Sequence, residues 1–173
     1  MTTRILGIDP GSWATGYGVI EVQGQSIGHI ASGRIRGASN DLPRRLRRIF
    51  DGLLEVVDQH HPDELAVEKV FINRNPDSAL KLGQARGVTL VAAALRELPV
   101  HEFTPAEIKL AVVGKGNAAK AQIQRMVTIL LRLQEQPAAD AADALAVAIC
   151  RGHTRHCLLR LGDVRGRRAG RWV

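Results

Sequence analysis

Residues 5–11 read ILGIDPG, and this stretch does most to define the fold of the 173-residue chain. Its apolar residues are typical of a short buried strand, which Pro10 and Gly11 bring to an end. Asp9 stands at the end of that strand. A central strand covered by helices leaves little room for an unpaired charge, so an acid there requires a cation or hydrogen bonds. The stretch therefore predicts a central strand that ends in a carboxylate held by a cation or by hydrogen bonds.

The elements around this strand alternate in a way that defines the fold class. Three strands come first, with a hairpin turn at Gly24, and helices then alternate with two more strands. This order predicts an antiparallel meander joined to parallel β-α-β units, in one mixed five-stranded sheet with helices on both faces. The predicted strands are residues 4–9, 15–23, 26–35, 64–70 and 99–103. The predicted helices follow Asp41 as far as His60, Asp77 through Glu97, and Thr104 in a short segment, and then cover 118–133 and 137 to about 156.

Composition and charge limit the function classes. The chain has 45% hydrophobic residues and no apolar run near the ~18 residues that span a bilayer, which argues against a disordered or membrane protein. Two cysteines and no signal-peptide pattern predict a reducing cytoplasm. The net charge of +7 indicates an anionic partner, yet residues 151–173 hold seven arginines and one acid. We therefore expect one domain at residues 1–156 and a basic, flexible tail at residues 157–173.

Four acids occupy unusual positions. Glu68 ends a second apolar strand, while Asp140 and Asp143 lie three residues apart at the start of an apolar helix and so share one face. With Asp9 they can converge, and hard oxygen ligands suit Mg²⁺ or Mn²⁺. Two such ions stabilise the attacking and the leaving oxygen of an in-line phosphoryl displacement. Our hypothesis is that Asp9 bridges both ions.

Each acid also has a structural alternative. Asp9 could accept hydrogen bonds from the turn after it, and Glu68 could pair with Lys69 or an arginine. Asp140 could cap its helix, and Asp143 could lie on a solvated face. A soft-metal site is a poor alternative because the ligand types near the tail fit no standard zinc spacing: Cys150, His153, His156 and Cys157.

Five motifs resemble the RuvC family of bacterial Holliday junction resolvases, over about residues 4–152. They are GIDPGS at 7–12, TGYG at 15–18, EKVF at 68–71, DSALKLGQARG at 77–87 and ADAADALA at 139–146. The resemblance implies an RNase H-like fold, a homodimer and a DNA endonuclease of recombination and repair. That enzyme would nick two opposing strands of a four-way junction symmetrically and leave 5′-phosphate and 3′-hydroxyl ends. The site would be Asp9, Glu68, Asp140 and Asp143, holding two Mg²⁺ ions per subunit, with Mn²⁺ as a substitute.

The resemblance also implies DNA contacts and partners. Phe71 would stack on an unpaired base, or alternatively fill the core, and Lys109 and Lys120 would contact phosphate or lie solvated. Further basic residues flank the carboxylates: Arg74, Lys81, Arg86, Lys115 and Arg125. The RuvA–RuvB branch-migration motor would be a partner, also by resemblance. Trp13, Lys69 and the added Lys115 depart from the family pattern, which affects DNA contacts rather than chemistry.

Other functions and the dimer surface are open at this point. An actin-like sugar kinase would need a second phosphate loop and a second domain, for which 173 residues leave no room. A non-catalytic junction-binding protein would bind junctions without regard to metal or to the acids.

A junction with near two-fold symmetry calls for two sites related by two-fold symmetry. The helix at residues 78–97, with Gly83 and Gly87, is the interface candidate, with core burial as the alternative.

Overall fold

The structure is a computed structural model that describes residues 2–69 and 76–168, with side chains at 2–69 and 77–158. It contains the five predicted strands. They are β1 Thr2–Asp9, β2 Ala14–Gln23, β3 Ser26–Arg36, β4 Glu64–Glu68 and β5 Val100–Phe103. The helices are α1 Leu42–His60, α2 Pro76–Leu95, α3 Pro105–Val113, α4 Lys120–Leu130 and α5 Ala139–Arg168. Val70, the predicted last residue of β4, lies outside the described residues.

The strands form one mixed sheet in the order β3-β2-β1-β4-β5. The meander pairs β1 with β2 and β2 with β3 antiparallel, whereas β4 pairs parallel with both β1 and β5. Since β1 is the central strand, the predicted position of the ILGIDPG stretch in the sheet is confirmed. Parallel strands need crossover connections, and α1 and α2 provide them.

Alternate residues of β1 face two separate cores. Leu6 and Ile8 pack with Ile49 of α1 on one side of the sheet, while Ile5 packs with Leu145 of α5 on the other. The helices therefore cover both faces: α1 and α2 lie on one, and α3, α4 and α5 on the other. No helix in the described part of the chain is long and apolar enough to cross a membrane.

The helix α5 lies unusually close to the sheet. A Cβ at Gly7 would collide with the Ala144 carbonyl oxygen, and one at Gly16 would collide with the carbonyl oxygen of Asp140. The two strand glycines thus let the helix backbone rest directly on β1 and β2. This contact places the first turn of α5 at the edge of the sheet where β1 ends.

Several predicted helix ends need correction. α2 begins at Pro76, so Asp77 lies in its first turn rather than capping it, because proline suits the first helical position. α4 begins at Lys120 rather than residue 118, since the Gln122 side chain accepts a hydrogen bond from the Ala119 backbone at 3.0 Å and caps the helix there. It ends at Leu130, and α5 begins at Ala139 rather than at residue 137.

α5 also continues beyond the predicted end at His156, as far as Arg168. Leucine and arginine are good helix formers, so a basic composition alone does not end a helix. Arg151 is buried and its guanidinium lies 2.7 Å from the Glu64 carboxylate, so one arginine counted toward the basic end belongs to the packed domain. The division at residue 157 and the flexibility of the tail stay predictions.

Candidate active site

One row of residues crosses the sheet at the edge where β1 and β4 end. Asp9 is paired with Gly16, and Gly16 with Arg34. The parallel pairing of Ile8 with Val67 brings Glu68, the next residue, beside Asp9. Side chains at one level of neighbouring strands point to the same face. The sheet therefore presents two carboxylates and an arginine toward the side on which α5 lies.

α5 adds the other two acids to this edge. Its first turn carries Asp140, which lies on Gly16, and one turn later Asp143 faces the same cleft as Asp9 and Glu68. The neighbouring helix positions are buried alanines, so the two acids occupy the part of the helix surface that stays partly exposed. The four predicted carboxylates thus share one end of the sheet, with Asp140 at the margin of the cleft.

The cleft has a volume of about 260 Å³ and is lined by three acids and two lysines on an apolar floor. Lys109 of α3 and Lys120 of α4 supply the positive charge. The Lys120 Nζ lies 3.1 Å from Asp143 Oδ2, and the Arg34 Nη1 lies 3.4 Å from Asp140 Oδ2. Asp140 and Asp143 are therefore each paired with a cation, whereas Asp9 and Glu68 have no such ion pair in the described part of the chain.

The pKa values show how crowded the negative charges are. Burial, and then the charges of Asp143 and Glu68, raise the pKa of Asp9 to about 7. Burial and the Asp143 charge also raise the pKa of Glu68. The hydrogen bond to Asp143 raises the pKa of Lys120. The site therefore favours either a proton or an added cation between its carboxylates.

The donor set fits a hard divalent cation. The acids offer carboxylate oxygens only, which Mg²⁺ and Mn²⁺ prefer. Among the described residues, no three His, Cys, Asp or Glu side chains are close enough together to hold a metal ion, and Asp143 and Asp140 each contact a basic side chain. The fit thus rests on the chemistry of the donors and on the raised pKa of Asp9.

The raised pKa makes a prediction about stability. The folded protein holds the Asp9 proton more tightly than the unfolded chain does, in which the pKa of Asp9 is near 3.8. The contribution of Asp9 to the free energy of unfolding is therefore lost as the pH rises from about 4 through 7. Without divalent ions, Asp9→Asn should be more stable than the parent by about 4 kcal/mol at pH 8, or roughly 8–16 °C in Tm, and equally stable near pH 4. Thermal melts in EDTA measure the difference.

Divalent ions provide the matching control. Mg²⁺ should raise the Tm of the parent at pH 8 and raise that of Asp9→Asn less, since ligands stabilise the state that binds them. A difference in Tm between the two proteins that stays constant from pH 4 to pH 8 would contradict the assignment of the raised pKa to Asp9.

The structure places the other predicted residues unevenly. Lys109 and Lys120 line the cleft. Lys81 pairs with Asp77 at 2.6 Å, Arg86 pairs with Glu102, and Lys115 and Arg125 are exposed. Phe71 and Arg74 lie outside the described residues.

Arg34 was not among the predicted site residues, because its nearness to Asp140 follows only from the register of β2 and β3. The four residues weighed as a zinc alternative lie along α5. Cys150 is buried, which raises the pKa of its thiol to about 11, and the His153 ring contacts the Ala111 carbonyl oxygen at 3.1 Å. A thiol with so high a pKa is a poor metal ligand.

Comparisons with known proteins show the family of the chain. The model of the family described as Crossover junction endodeoxyribonuclease RuvC matches residues 5–151. The Crossover junction endodeoxyribonuclease RuvC of Shewanella baltica (strain OS155 / ATCC BAA-1091) is 54% identical over 169 residues, 97% of this chain and 98% of that protein. The one of Shewanella sediminis (strain HAW-EB3) is 56% identical over 158 residues, 91% of each.

A solved structure gives the same result. The structure described as T. thermophilus RuvC in complex with Holliday junction substrate has a TM-score of 0.84 and 34% identity, over 90% of this chain and 96% of that chain. The predicted RNase H-like fold is thereby confirmed. Since the family model covers most of the chain and the relatives match it almost from end to end, the chain belongs to the RuvC family of crossover junction endodeoxyribonucleases.

Proposed function

We propose that this chain resolves four-way DNA junctions by symmetric paired nicks, through metal-dependent hydrolysis of phosphodiester bonds. The observation that carries the proposal is one cleft in which Asp9, Glu68 and Asp143 meet beside Lys109 and Lys120. Acids that crowd together, with Asp9 and Glu68 in no ion pair among the described residues, suit a reaction at a phosphate, where metal ions and lysines offset the negative charge. The products would carry 5′-phosphate and 3′-hydroxyl ends.

The carboxylates would hold the metal. RuvC nucleases depend on divalent ions, and we propose two Mg²⁺ per subunit, with Mn²⁺ as a substitute. Bound ions of this kind activate water and stabilise the leaving oxygen. Asp9 lies at the end of the central strand, beside Glu68 and facing the start of α5, and we propose that it would help to hold both ions. Asp140 would join the set when it leaves Arg34, since their contact at 3.4 Å is half-exposed and weak.

The two lysines would act on the substrate. The Lys120 side chain is 84% exposed although its ammonium contacts Asp143, so it can turn from the acid to a phosphate oxygen at little cost. Lys109 is half-buried in the wall of the cleft and can hold a phosphate in place. Both would stabilise the charge that develops on the phosphate as the bond breaks.

One assay tests the proposal. A labelled mobile junction and a duplex of the same length are incubated with the protein, with and without Mg²⁺. We expect paired nicks on the junction only, and only with the metal. Binding without cleavage at any metal concentration would instead indicate a junction-binding protein without catalysis, and equal cleavage of the duplex would contradict junction selectivity.

We further propose a homodimer formed through α2. One side of this helix packs on the core through Ala85, Ala92 and Ala93, while another presents side chains more than half exposed: Leu80, Val91 and Leu95. A Cβ at Gly83 or Gly87 would meet nothing within 4 Å, so a second helix can approach closely there. In this proposal one face of α2 packs on the core of its own subunit, and the other face packs on a second copy of the chain.

The dimer makes a prediction about mass. Val91→Asp places a charge in the middle of the proposed interface and should give a monomer at micromolar concentration, because burying an unpaired charge is costly. The matched control is Leu110→Asp. The Leu110 side chain is 59% exposed and belongs to α3, outside the proposed interface, so this variant should stay dimeric. Sedimentation measures both proteins. A dimeric Val91→Asp protein of normal Tm would exclude α2 as the interface.

The remaining assignments complete the proposal. The residues expected to contact DNA beyond the cleft are Phe71, Arg74, Lys81, Arg86 and Lys115. We propose that the protein acts in the cytoplasm, in recombination and repair, together with the RuvA–RuvB branch-migration complex. The basic tail at residues 157–173 would add sequence-independent, salt-sensitive DNA binding, as arginine-rich segments do.

A further inference from the structure

A tryptophan and several arginines lie beside the carboxylates, at the β2–β3 side of the sheet. We infer that this group, called here the Trp13 surface, binds one strand of the DNA substrate, with the Trp13 ring stacked on a nucleobase and the arginines on phosphates. The inference rests on the proposed function, because it assigns more of the surface that would hold the same substrate. The Trp13 surface consists of Trp13, Arg34, Arg36, Arg44 and Arg48.

Trp13 has an exposed ring that is held from one side. The side chain lies in the loop between β1 and β2 and is 59% exposed, which is unusual for so large an aromatic. The guanidinium carbon of Arg45 lies 4.1 Å from the ring centroid. The Trp13 backbone oxygen accepts a hydrogen bond from Gly37 at 3.0 Å. With one face on Arg45 and most of its area in water, the ring leaves its other face free to stack.

Arg45 holds the ring from a fixed position. It is only 4% exposed and donates to the Ser39 carbonyl oxygen at 3.3 Å, while its Nε has no hydrogen-bond partner among the described residues. A Cβ at Gly37 would collide with the Arg45 side chain, so the loop leaves room for this arginine. A buried guanidinium without a carboxylate is costly, and the ring face offsets part of that cost. The ring is therefore preorganised, which lowers the entropic cost of stacking.

The arginines around the ring are available to phosphates. Arg36 is exposed and makes no ion pair or side-chain hydrogen bond in the part of the chain that the structure describes. The Arg44 side chain is 82% exposed, with its Nε 3.6 Å from Asp41. Arg48 is exposed and donates to the carbonyl oxygens of the loop beside Gly37. Exposed pairs of this kind are weak, so phosphates can replace the acids.

The position of this surface fixes which nucleotides it would meet. Arg34 lies two strands from Asp9 in the same row, which is about 10 Å at the usual strand spacing. At a rise of about 3.4 Å per nucleotide, that is roughly three nucleotides from the scissile phosphate. β3 and β5 are opposite edges of the sheet, and α3 with Lys109 follows β5. The Trp13 surface thus extends the positive surface to the other side of the carboxylates.

Nucleic acid fits this chemistry better than an acidic peptide does. Rigid aromatic rings bordered by arginines are typical of sites that stack unpaired bases while holding the backbone. A four-way junction can offer such a base where its strands exchange. The bases of a continuous duplex are stacked on each other and offer no face.

The fluorescence of Trp13 gives a direct test. The chain has two tryptophans, so Trp172→Phe leaves Trp13 as the single emitter. This protein is titrated without divalent ions into a junction that carries a fluorescent label, and label anisotropy and tryptophan emission are followed together. We expect emission to be quenched with the same midpoint as the rise in anisotropy. An anisotropy rise with unchanged emission overturns the inference, whereas no anisotropy rise means that the proposed function fails first.

Substitutions give the second test. Trp13→Ala should weaken junction binding about 10-fold, the usual effect of losing one base stack. Arg36→Gln should lower the slope of log K against log salt by about 0.9, the value for one phosphate contact. Arg96→Gln is the matched control, since Arg96 pairs with Asp58 near the opposite ends of α1 and α2. Trp13→Ala and Arg36→Gln proteins that keep the parent Tm, affinity and salt slope would overturn the inference.

Discussion

Asp9→Asn is expected to bind four-way junctions as the parent does and to cut none of them. The change keeps the size of the side chain and removes the charge at the centre of the site, between Glu68 and the acids of α5. Losing a carboxylate that holds a catalytic cation removes several kcal/mol of transition-state stabilisation, so cleavage should fall at least ~10³-fold. A gel assay of the labelled junction in Mg²⁺ measures cleavage, and anisotropy measures binding.

The control for this result is an acid outside the site. Asp51 pairs with Arg47 at 2.8 Å on the surface of α1, and Asp51→Asn should cut at the parent rate. Cleavage by Asp9→Asn within tenfold of the parent would contradict the four-carboxylate site. Loss of junction binding along with cleavage would show that Asp9 holds the fold of the DNA-binding surface rather than the metal.

Gly16→Ala is the second change with a large expected effect, and it acts through backbone contact. The new methyl group would collide with the Asp140 carbonyl oxygen, and a backbone atom cannot turn away as a side chain can. α5 would have to move outward, at a cost of about 1–3 kcal/mol, or roughly 2–12 °C in Tm. The movement would also carry Asp140 and Asp143 away from Asp9. A shift of about 1 Å can cost ~10²-fold in rate.

A second glycine separates the effect of the clash with α5 from the effect of replacing a strand glycine with alanine. Gly28 lies in β3, and a Cβ there would meet nothing within 4 Å. Gly28→Ala therefore makes the same chemical change in a strand without touching α5, and its Tm and cleavage rate should stay close to those of the parent. If both variants behave alike, strand propensity rather than the approach of α5 explains the glycine at position 16.

The acids of the site could be found from the sequence because charge is rare in buried strands. Asp9 and Glu68 each end an apolar run, and Asp140 and Asp143 interrupt a row of alanines, so all four differ from their surroundings. Arg34 does not, because an arginine in an edge strand is ordinary. Its pairing with Asp140 depends on the register of two antiparallel strands, including an irregularity between Val19 and Ile20.

Helix ends were harder to predict than the site. Ala119 cannot cap a helix with its own side chain, so the start of α4 was set by Gln122 reaching back, a contact with a weak sequence signal. α5 ends later than predicted, because a high arginine content does not by itself mark the end of a helix. Hydrophobic periodicity shows which residues face the core, and it says little about how far a helix continues beyond the core.

The row that crosses the sheet through Glu68, Asp9, Gly16 and Arg34 makes the chemistry depend on correct assembly. Strand side chains alternate between faces, so a slip of one residue between β1 and β2 would place Asp9 out of line with Gly16 and take away the seat of α5. A chain that pairs its hairpin wrongly, or that has not yet docked α5, would thus lack a complete set of acids. Incompletely folded or damaged copies would therefore be unable to nick DNA, because the active site is complete only in the correctly assembled fold.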